Sequence, residues 1–317
     1  MSQYIFRRVL LLVPMLVGIT VVAFTFINVA PGDPVTAMID PQQGSGGLDM
    51  VAVRESLGLN KPLPVRYAIW LKEVATGNFG YSYRTGQAVI RRIGERVPAT
   101  IELMGTALLI STVVGSALGI GSALKRYSFW DYSLTVLSLT WVSVPAFFFG
   151  LVGLYVFALR LNVLPTFGMV TPGSTDPLDH LKHLILPAIV LSLEALAGIT
   201  RYTRASMMDV LSQDFVVTAR AKGLPERLVT LRHAFRNALL PVITVVSLRI
   251  PLLLGGAVVI EYVFQWPGMG TLAITSIEQR DYPVLMGLTL MTASLVLLSN
   301  LIADILYAYA DPRIRYS

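Results

Sequence analysis

Long uncharged runs leave this chain few folds to choose from. Six stretches, at about 9–29, 101–124, 134–158, 184–200, 239–260 and 284–308, are apolar and almost free of charge. A helix needs roughly 20 residues to cross an apolar layer about 30 Å thick, and inside that layer its backbone groups must pair within the segment. Only 14% of the 317 residues are charged, well under the roughly 25% of soluble domains. The expectation is an all-α polytopic membrane protein of about six transmembrane helices, the fourth being the shortest run.

Charge orients the spans. Arg7 and Arg8 precede an uncharged run from Val9 to Gly32, longer than the roughly 7–15 residues of a signal-peptide core and without a clear cleavage site, so it reads as a retained anchor. With the amino terminus inside, the short inner segments hold Arg7, Arg8, Lys125, Arg126, seven cations between 201 and 238, and Arg313 and Arg315. The short outer loops hold only Arg160, Lys182 and Arg280. That bias follows the positive-inside rule and predicts both termini in the cytosol. The formal charge of +6 is then topological, with no nucleic-acid motif behind it. The chain has no cysteine, which excludes disulfides, thiol catalysis and Cys-ligated metals.

Three regions follow: an N-terminal end and first span (1–30), an external subdomain (31–98), and a core transmembrane region (99–317) interrupted by a basic loop at 201–238. The subdomain carries Pro31-Gly-Asp-Pro34, a Gly-rich patch at Gln43 to Gly47, and helical spacing through Leu63, Tyr67, Trp70 and Leu71. Its aromatics Trp70, Phe79, Tyr81 and Tyr83 read as packing onto the membrane region in preference to facing a partner. Gly115 and Gly119 have the spacing that lets helix backbones approach closely in lipid, here read as a contact within the chain. Pro14, Pro145 and Pro251 fall inside spans, where kinks are tolerated if neighbours satisfy the freed carbonyls.

The basic loop is the functional clue. Seven Lys and Arg residues sit beside three acids between Arg201 and Ala238. A helix with Ser212 or Asp214 as N-cap can run to Lys222 and stop at Gly223, which suits a left-handed position. Pro225 then starts a second helix in its first turn. On a wheel of about 100° per residue, Leu224, Leu228, Leu231, Phe235 and Leu239 form one apolar stripe, with Arg227, Arg232 and Arg236 flanking it and Glu226, Thr230, His233 and Asn237 opposite. Such a helix suits either an anionic lipid surface or a groove in a soluble protein.

Thr218-Ala-Arg-Ala-Lys-Gly-Leu224 followed by His233-Ala-Phe-Arg-Asn-Ala-Leu-Leu-Pro241 resembles the cytosolic loop of permease subunits in ATP-binding cassette importers, in the dipeptide and oligopeptide branch. Pro31-Gly-Asp-Pro34, Glu261 through Trp266-Pro-Gly-Met-Gly270, Arg280-Asp-Tyr-Pro283 and Asp311-Pro-Arg-Ile-Arg315 agree with it along almost the whole chain. The general importer loop reads Glu-Ala-Ala, three residues, Gly, nine residues, Ile-x-Leu-Pro. Here Val217-Thr218-Ala219 precedes Gly223, and Pro241 falls five residues late, as in the peptide branch.

The resemblance implies the type I importer permease fold in a bacterial inner membrane, with no catalytic residues in this chain. It implies a second, related permease, two ATP-binding subunits inside, which would hold ATP and Mg, and a solute-binding protein outside. Ala219, Gly223, Leu224, Pro225, Glu226, Arg227 and Leu228 become the coupling residues docked on an ATPase. Short peptides are the expected substrate, with nickel or glutathione as alternatives. A secondary transporter or channel that works without ATP is the rival reading.

The chain itself offers no cofactor site. A phosphate-binding P-loop needs Gly immediately before Lys, and none of Lys61, Lys72, Lys125, Lys182 or Lys222 follows Gly. There is no Gly-x-Ser-x-Gly elbow and no His-Glu-x-x-His. His180 and His183 near Asp176 and Asp179 read as a solvated helix start, with metal ligation as the lesser alternative. Charges inside spans are costly and tend to face a partner or a water-filled path. Arg249, Glu194 and Asp304 are the candidates, Arg249 either lining the pathway or pairing with Glu194.

Overall fold

The structure, a computed structural model, describes residues 2–29, 35 and 50–310. Side chains at 2–6, 240, 241, 244, 247–256, 303, 304 and 306–310 are outside that description. So are Pro31–Pro34, Gln43–Gly47 and Asp311–Arg315, and with them three of the stretches on which the sequence reading drew.

Helices make up most of the described chain: α1 (Ser2–Val29), α2 (Met50–Ser56), α3 (Leu63–Ala75), α4 (Val89–Leu124), α5 (Phe129–Ser143) and α6 (Ala146–Gly153). A π-helical stretch, Leu154–Arg160, extends α6. Then come α7 (Pro177–Leu211), α8 (Asp214–Ala221), the single turn α9 (Glu226–Leu228), a second π-helical stretch Val229–Phe235, α10 (Arg236–Val263), α11 (Met269–Glu278) and α12 (Tyr282–Ala310). Among the described residues, Arg7–Val29, Val89–Leu124, Pro177–Leu211 and Tyr282–Ile302 are long and apolar enough to cross a membrane.

Two of the expected spans differ. The run at 184–200 looked shortest because Lys182 and Arg201 flank it. In the structure α7 is 35 residues long, about 52 Å at 1.5 Å per residue, and it has the most buried span, with 78% of its apolar window covered against 11% for α1. The run at 134–158 is broken. A residue before proline is pushed out of the α region and proline donates no N–H, so Val144 is extended (φ −98°, ψ 131°), Pro145 starts α6, and the two halves meet at 101°. At 15 residues, α5 spans about 22 Å, too short to cross alone. The run at 239–260 lies in α10, which stays helical across all 28 residues.

The contacts group the chain into two compact units, Met1–Thr100 with Pro267–Leu297, and Ile101–Trp266 with Leu298–Ser317. In the first unit α3 packs on α1. Tyr67 meets Phe24 edge-on at 5.4 Å and Trp70 at 5.9 Å, and the Tyr67 and Thr20 hydroxyls are 3.0 Å apart. Val89, Ile93, Met269, Leu272, Val284 and Leu288 form its apolar core. Asp281, fully buried, accepts hydrogen bonds from the Ser82 hydroxyl, Tyr83 N at 3.0 Å and Arg92 Nη1 at 3.1 Å.

In the second unit α7 is the central helix, flanked by α10, α5 and α6. Small residues set how closely its neighbours approach. A Cβ on Gly119 of α4 would sit 2.7 Å from the Thr200 carbonyl and 2.6 Å from Thr203 Cβ, and one on Gly153 would sit 2.9 Å from Leu186. Gly115 faces Leu196 and Ile199. The Gly115–Gly119 pair is therefore a contact within the chain, where van der Waals packing must supply what the hydrophobic effect cannot in lipid.

Candidate functional site

The basic loop folds as two helical pieces around a sharp corner, built by local backbone chemistry. At the end of α8, Gly223 adopts φ +74° with open space where a Cβ would lie. Its N–H donates to the Arg220 carbonyl at 2.9 Å, and Leu224 N donates to the Ala219 carbonyl at 3.4 Å. This is the Schellman pairing, which satisfies the last carbonyls of a helix and needs a left-handed residue that glycine supplies without strain. Leu224 also packs on the core that contains Ala219, the apolar contact that accompanies such a stop.

Two local expectations change. Gln213, not Ser212 or Asp214, flanks the start of α8 and makes no side-chain cap, because the Ser212 hydroxyl is engaged with the Asp209 carbonyl at 2.8 Å. Pro225 (φ −62°, ψ 139°) is the residue before the first turn of α9, where its carbonyl accepts from Leu228 N at 2.8 Å and Val229 N at 3.1 Å. Its missing N–H still costs nothing there.

The apolar stripe is also corrected. Leu231 is 48% exposed, whereas Val229, Thr230, Ala234 and Ala238 are buried. The cause is the π-helical stretch at Val229–Phe235. Its i→i+5 bonding widens the turn, so a wheel of about 100° per residue loses register and the packed face passes from Val229 to Ala234 and then Ala238. Thr230 consequently faces inward, not toward the far side. Beneath the corner, Met207 and Val210 of α7, Val216 and Ala219 of α8, Val229, Ala234, Ala238 and Ala123 of α4 form one core.

Of the predicted coupling residues, Gly223, Pro225, Glu226 and Arg227 are exposed, Leu224 and Leu228 are half-buried, and Ala219 is buried. The structure thus brings six of them to one corner and puts Ala219 in the core beneath. Arg220 ties the corner across, with Nη2 2.6 Å from Glu226 Oε1 and Nε 3.1 Å from Oε2. The Arg220 hydrogen bonds hold the Glu226 carboxyl below its ordinary range and raise the Arg220 guanidinium. No nucleophile with a base meets here. The arrangement is a shaped, charged surface on a packed foundation.

A buried ion pair lies in the same unit and escaped the sequence reading. Asp131 of α5 is 2% exposed. It accepts from Arg204 Nε at 2.6 Å and Nη2 at 2.7 Å, from the Ser122 hydroxyl, and from Tyr127 N at 2.9 Å. Four segments meet at this carboxylate: α4, the turn after it, α5 and α7. Ser128 with Asp131, a capping spacing at the start of an apolar run, was the available signal, and Ser128 does cap α5.

Glu194 lies on the exposed side of α7, while the side chains of Arg249 and Asp304 are outside the description, as is any pairing with Arg249. His180 is engaged on both nitrogens, Nε2 at 2.5 Å from Glu102 and Nδ1 at 3.0 Å from the Met169 carbonyl, and His183 Nδ1 is 2.8 Å from the Asp179 carbonyl.

Apolar helices long enough to cross a membrane, one broken span, a buried central helix and a basic, exposed corner are compatible with a membrane transport component. The chain belongs to the family described as binding-protein-dependent transport system inner membrane component, which matches residues 115–316, and the N-terminal family of the same system matches residues 1–104. It is 45% identical to the oligopeptide transport system permease protein AppB of Bacillus subtilis, over all of both chains. It is 40% identical to the di/tripeptide transport system permease protein DppB of Pseudomonas aeruginosa, over all of this chain and 99% of that one. A chain of the inward-facing MetNI methionine ABC transporter is similar in fold, with a TM-score of 0.58 and 12% identity over 70% of this chain and 97% of that chain.

Proposed function

We propose that this chain is the membrane-spanning permease of an ATP-driven importer of short peptides, and that it works by alternating access powered by separate ATPase subunits. The observation that carries the reading is the corner at Gly223-Leu224-Pro225, exposed and tied by Arg220–Glu226 on a rigid core. Such a surface suits docking into a cleft of a soluble partner. The names of the relatives support peptides as the substrate class, and the sequence supplies no P-loop, so hydrolysis belongs to another polypeptide that holds ATP and Mg.

The assembly in this reading contains a second permease subunit, two ATPases on the cytosolic side and an external solute-binding protein. In this reading both termini and the basic loop at 201–238 are cytosolic, as the positive-inside bias supports. Arg249, Glu194 and Asp304 are the polar groups assigned to the pathway, and Arg249→Gln should alter transport without loss of membrane insertion.

The test is to purify the chain from its native membrane and assay the complex for a co-purifying nucleotide hydrolase and for ATP-dependent uptake of labelled di- and tripeptides into vesicles. Peptide uptake that requires ATP supports the reading. Uptake without ATP or a hydrolase partner assigns the chain to the secondary transporters or channels, and uptake of nickel or glutathione alone replaces the substrate.

A further inference from the structure

Within the first unit a cavity of about 610 Å³ opens beside α3, lined among others by Lys61, Arg66, Trp70, Glu73, Tyr83 and Tyr282. The importer reading above does not use it. The volume is in the range of small-ligand sites, which are mostly apolar walls with a few placed polar groups.

Three of these residues occupy one helix face. Arg66, Trp70 and Glu73 are at i, i+4 and i+7 on α3, within about 60° of each other at roughly 100° per residue. The cation and the anion at the two ends are therefore two turns apart, about 10.5 Å along the axis. An extended chain reaches about 3.3–3.6 Å per residue, so the charged termini of a peptide of two or three residues span about 7–11 Å.

The groups on this face have unused capacity. Among the described residues the Arg66 guanidinium meets one neutral acceptor, Asn28 Oδ1 at 2.6 Å, and lies 5.9 Å from the Phe24 ring centroid, with no carboxylate partner. Burial lowers Arg66 from its ordinary value, against the opposing effect of Tyr83 and Tyr282, and burial pushes the Tyr83 hydroxyl up. A partly buried cation with no described anion beside it is costly, and an anionic ligand group would offset that cost. Between the charged ends, the Trp70 side chain contributes to the cavity wall, an apolar aromatic surface of the kind that lines small-ligand sites. Among the described residues, Glu73 accepts one side-chain hydrogen bond, from the neutral Asn78 Nδ2 at 2.8 Å.

We propose that this cavity binds short peptides with free termini. The peptide carboxylate lies against Arg66 and Lys61, its ammonium against Glu73, and the chain between them along the Trp70 side chain. The site rests on the importer reading for its choice of peptide over other zwitterions, and it gives the permease its own substrate contact outside the spans.

The experiment is calorimetric titration of the full-length chain in phosphatidylcholine nanodiscs with trialanine, trialanine amide and N-acetyl-trialanine. Saturable binding of trialanine is expected, weakened at least tenfold by either terminal block. Arg66→Gln should weaken trialanine binding and shrink the difference between acid and amide, and adding Lys61→Gln should abolish it. Glu73→Gln should abolish the difference made by acetylation. The ligand series on the wild-type chain stands even where a variant misfolds. No saturable binding, equal affinity for acid and amide, or binding only of an anionic phosphate headgroup in phosphatidylglycerol nanodiscs overturns the proposal. The titration needs neither ATP nor partners. ATP-driven peptide uptake without trialanine binding therefore sinks the pocket alone, and trialanine binding without ATP-driven uptake by the complex sinks the importer reading alone.

Discussion

Removing Arg204 should damage this protein more than neutralising Asp131, although the two share one ion pair. The asymmetry comes from burial. Asp131 is 3% exposed at its side chain and Arg204 28%, so each substitution strands a partner in a different environment. Arg204→Gln leaves a carboxylate in the interior with the Ser122 hydroxyl and Tyr127 N as its remaining donors. Breaking a buried pair from one side costs about 3–5 kcal/mol, and the two surviving hydrogen bonds place this case near the lower end, about 3 kcal/mol. Asp131→Asn leaves a guanidinium partly open to water and keeps a side-chain acceptor, a loss of about 1–2 kcal/mol.

Thermal unfolding of the purified chain in detergent, followed by intrinsic fluorescence, reads the difference. At about 2–4 °C per kcal/mol for chains of this size, Arg204→Gln should lower the midpoint by about 6–12 °C and Asp131→Asn by about 2–8 °C. The double variant should lie close to Arg204→Gln or above it, because no charge is then left unpaired. Equal losses, a larger loss for Asp131→Asn, or strict additivity in the double variant would refute the burial argument.

Other outcomes are as specific. Gly119→Ala should cost about 1–3 kcal/mol of stability by overpacking against the Thr200 carbonyl, while Gly105→Ala, with no atom within 4 Å of the added carbon, should leave the unfolding midpoint unchanged. Gly223→Ala places a Cβ at φ +74°, a strain of about 1–2 kcal/mol. It should reduce peptide uptake with normal membrane levels by immunoblot, Asn should be milder, and Gly223→Arg should abolish uptake. The Arg220–Glu226 pair sets a pH and salt dependence. Because the Glu226 carboxyl is held low in the folded corner, its contribution is complete above the ordinary glutamate value and is lost as pH falls through the lower folded value. Retention of the ATPase partner on the purified chain should weaken in that acid range and at high salt, and Arg220→Gln should remove the dependence.

Helical spans and the corner were legible because each rests on local chemistry: unbroken apolar length, a glycine where φ must be positive, a proline that blocks continuation. Three features were not. The stripe through Leu231 failed because a wheel assumes one pitch, and a π-helical stretch at Val229–Phe235 violates it. The length of α7 was hidden by the charges at 182 and 201 that flank the run at 184–200, and by Arg204 beyond it, which the fold accommodates by pairing with Asp131. That pairing joins residues 73 positions apart, and Arg92 with Asp281 joins residues 189 apart. Side-chain pattern within a window carries no information about such partners.

The composition of the core beneath the corner bears on how a push there would travel. Four of its eight buried side chains are alanine, at 123, 219, 234 and 238, and alanine has no rotamer through which to yield. Close-packed interiors transmit displacement instead of absorbing it. The Ser206 hydroxyl further ties α7 to the Ala238 carbonyl at 3.1 Å. The expectation is that a displacement at Gly223–Arg227 would carry the ends of α4, α7 and α10 with it. Ala234→Leu tests this, since three extra carbons in that core must move a neighbour. The variant should retain membrane insertion, lose about 1–3 kcal/mol of stability, and uncouple ATP hydrolysis from peptide uptake in reconstituted vesicles. Hydrolysis and uptake falling in constant proportion would instead mean that the core only holds the corner up.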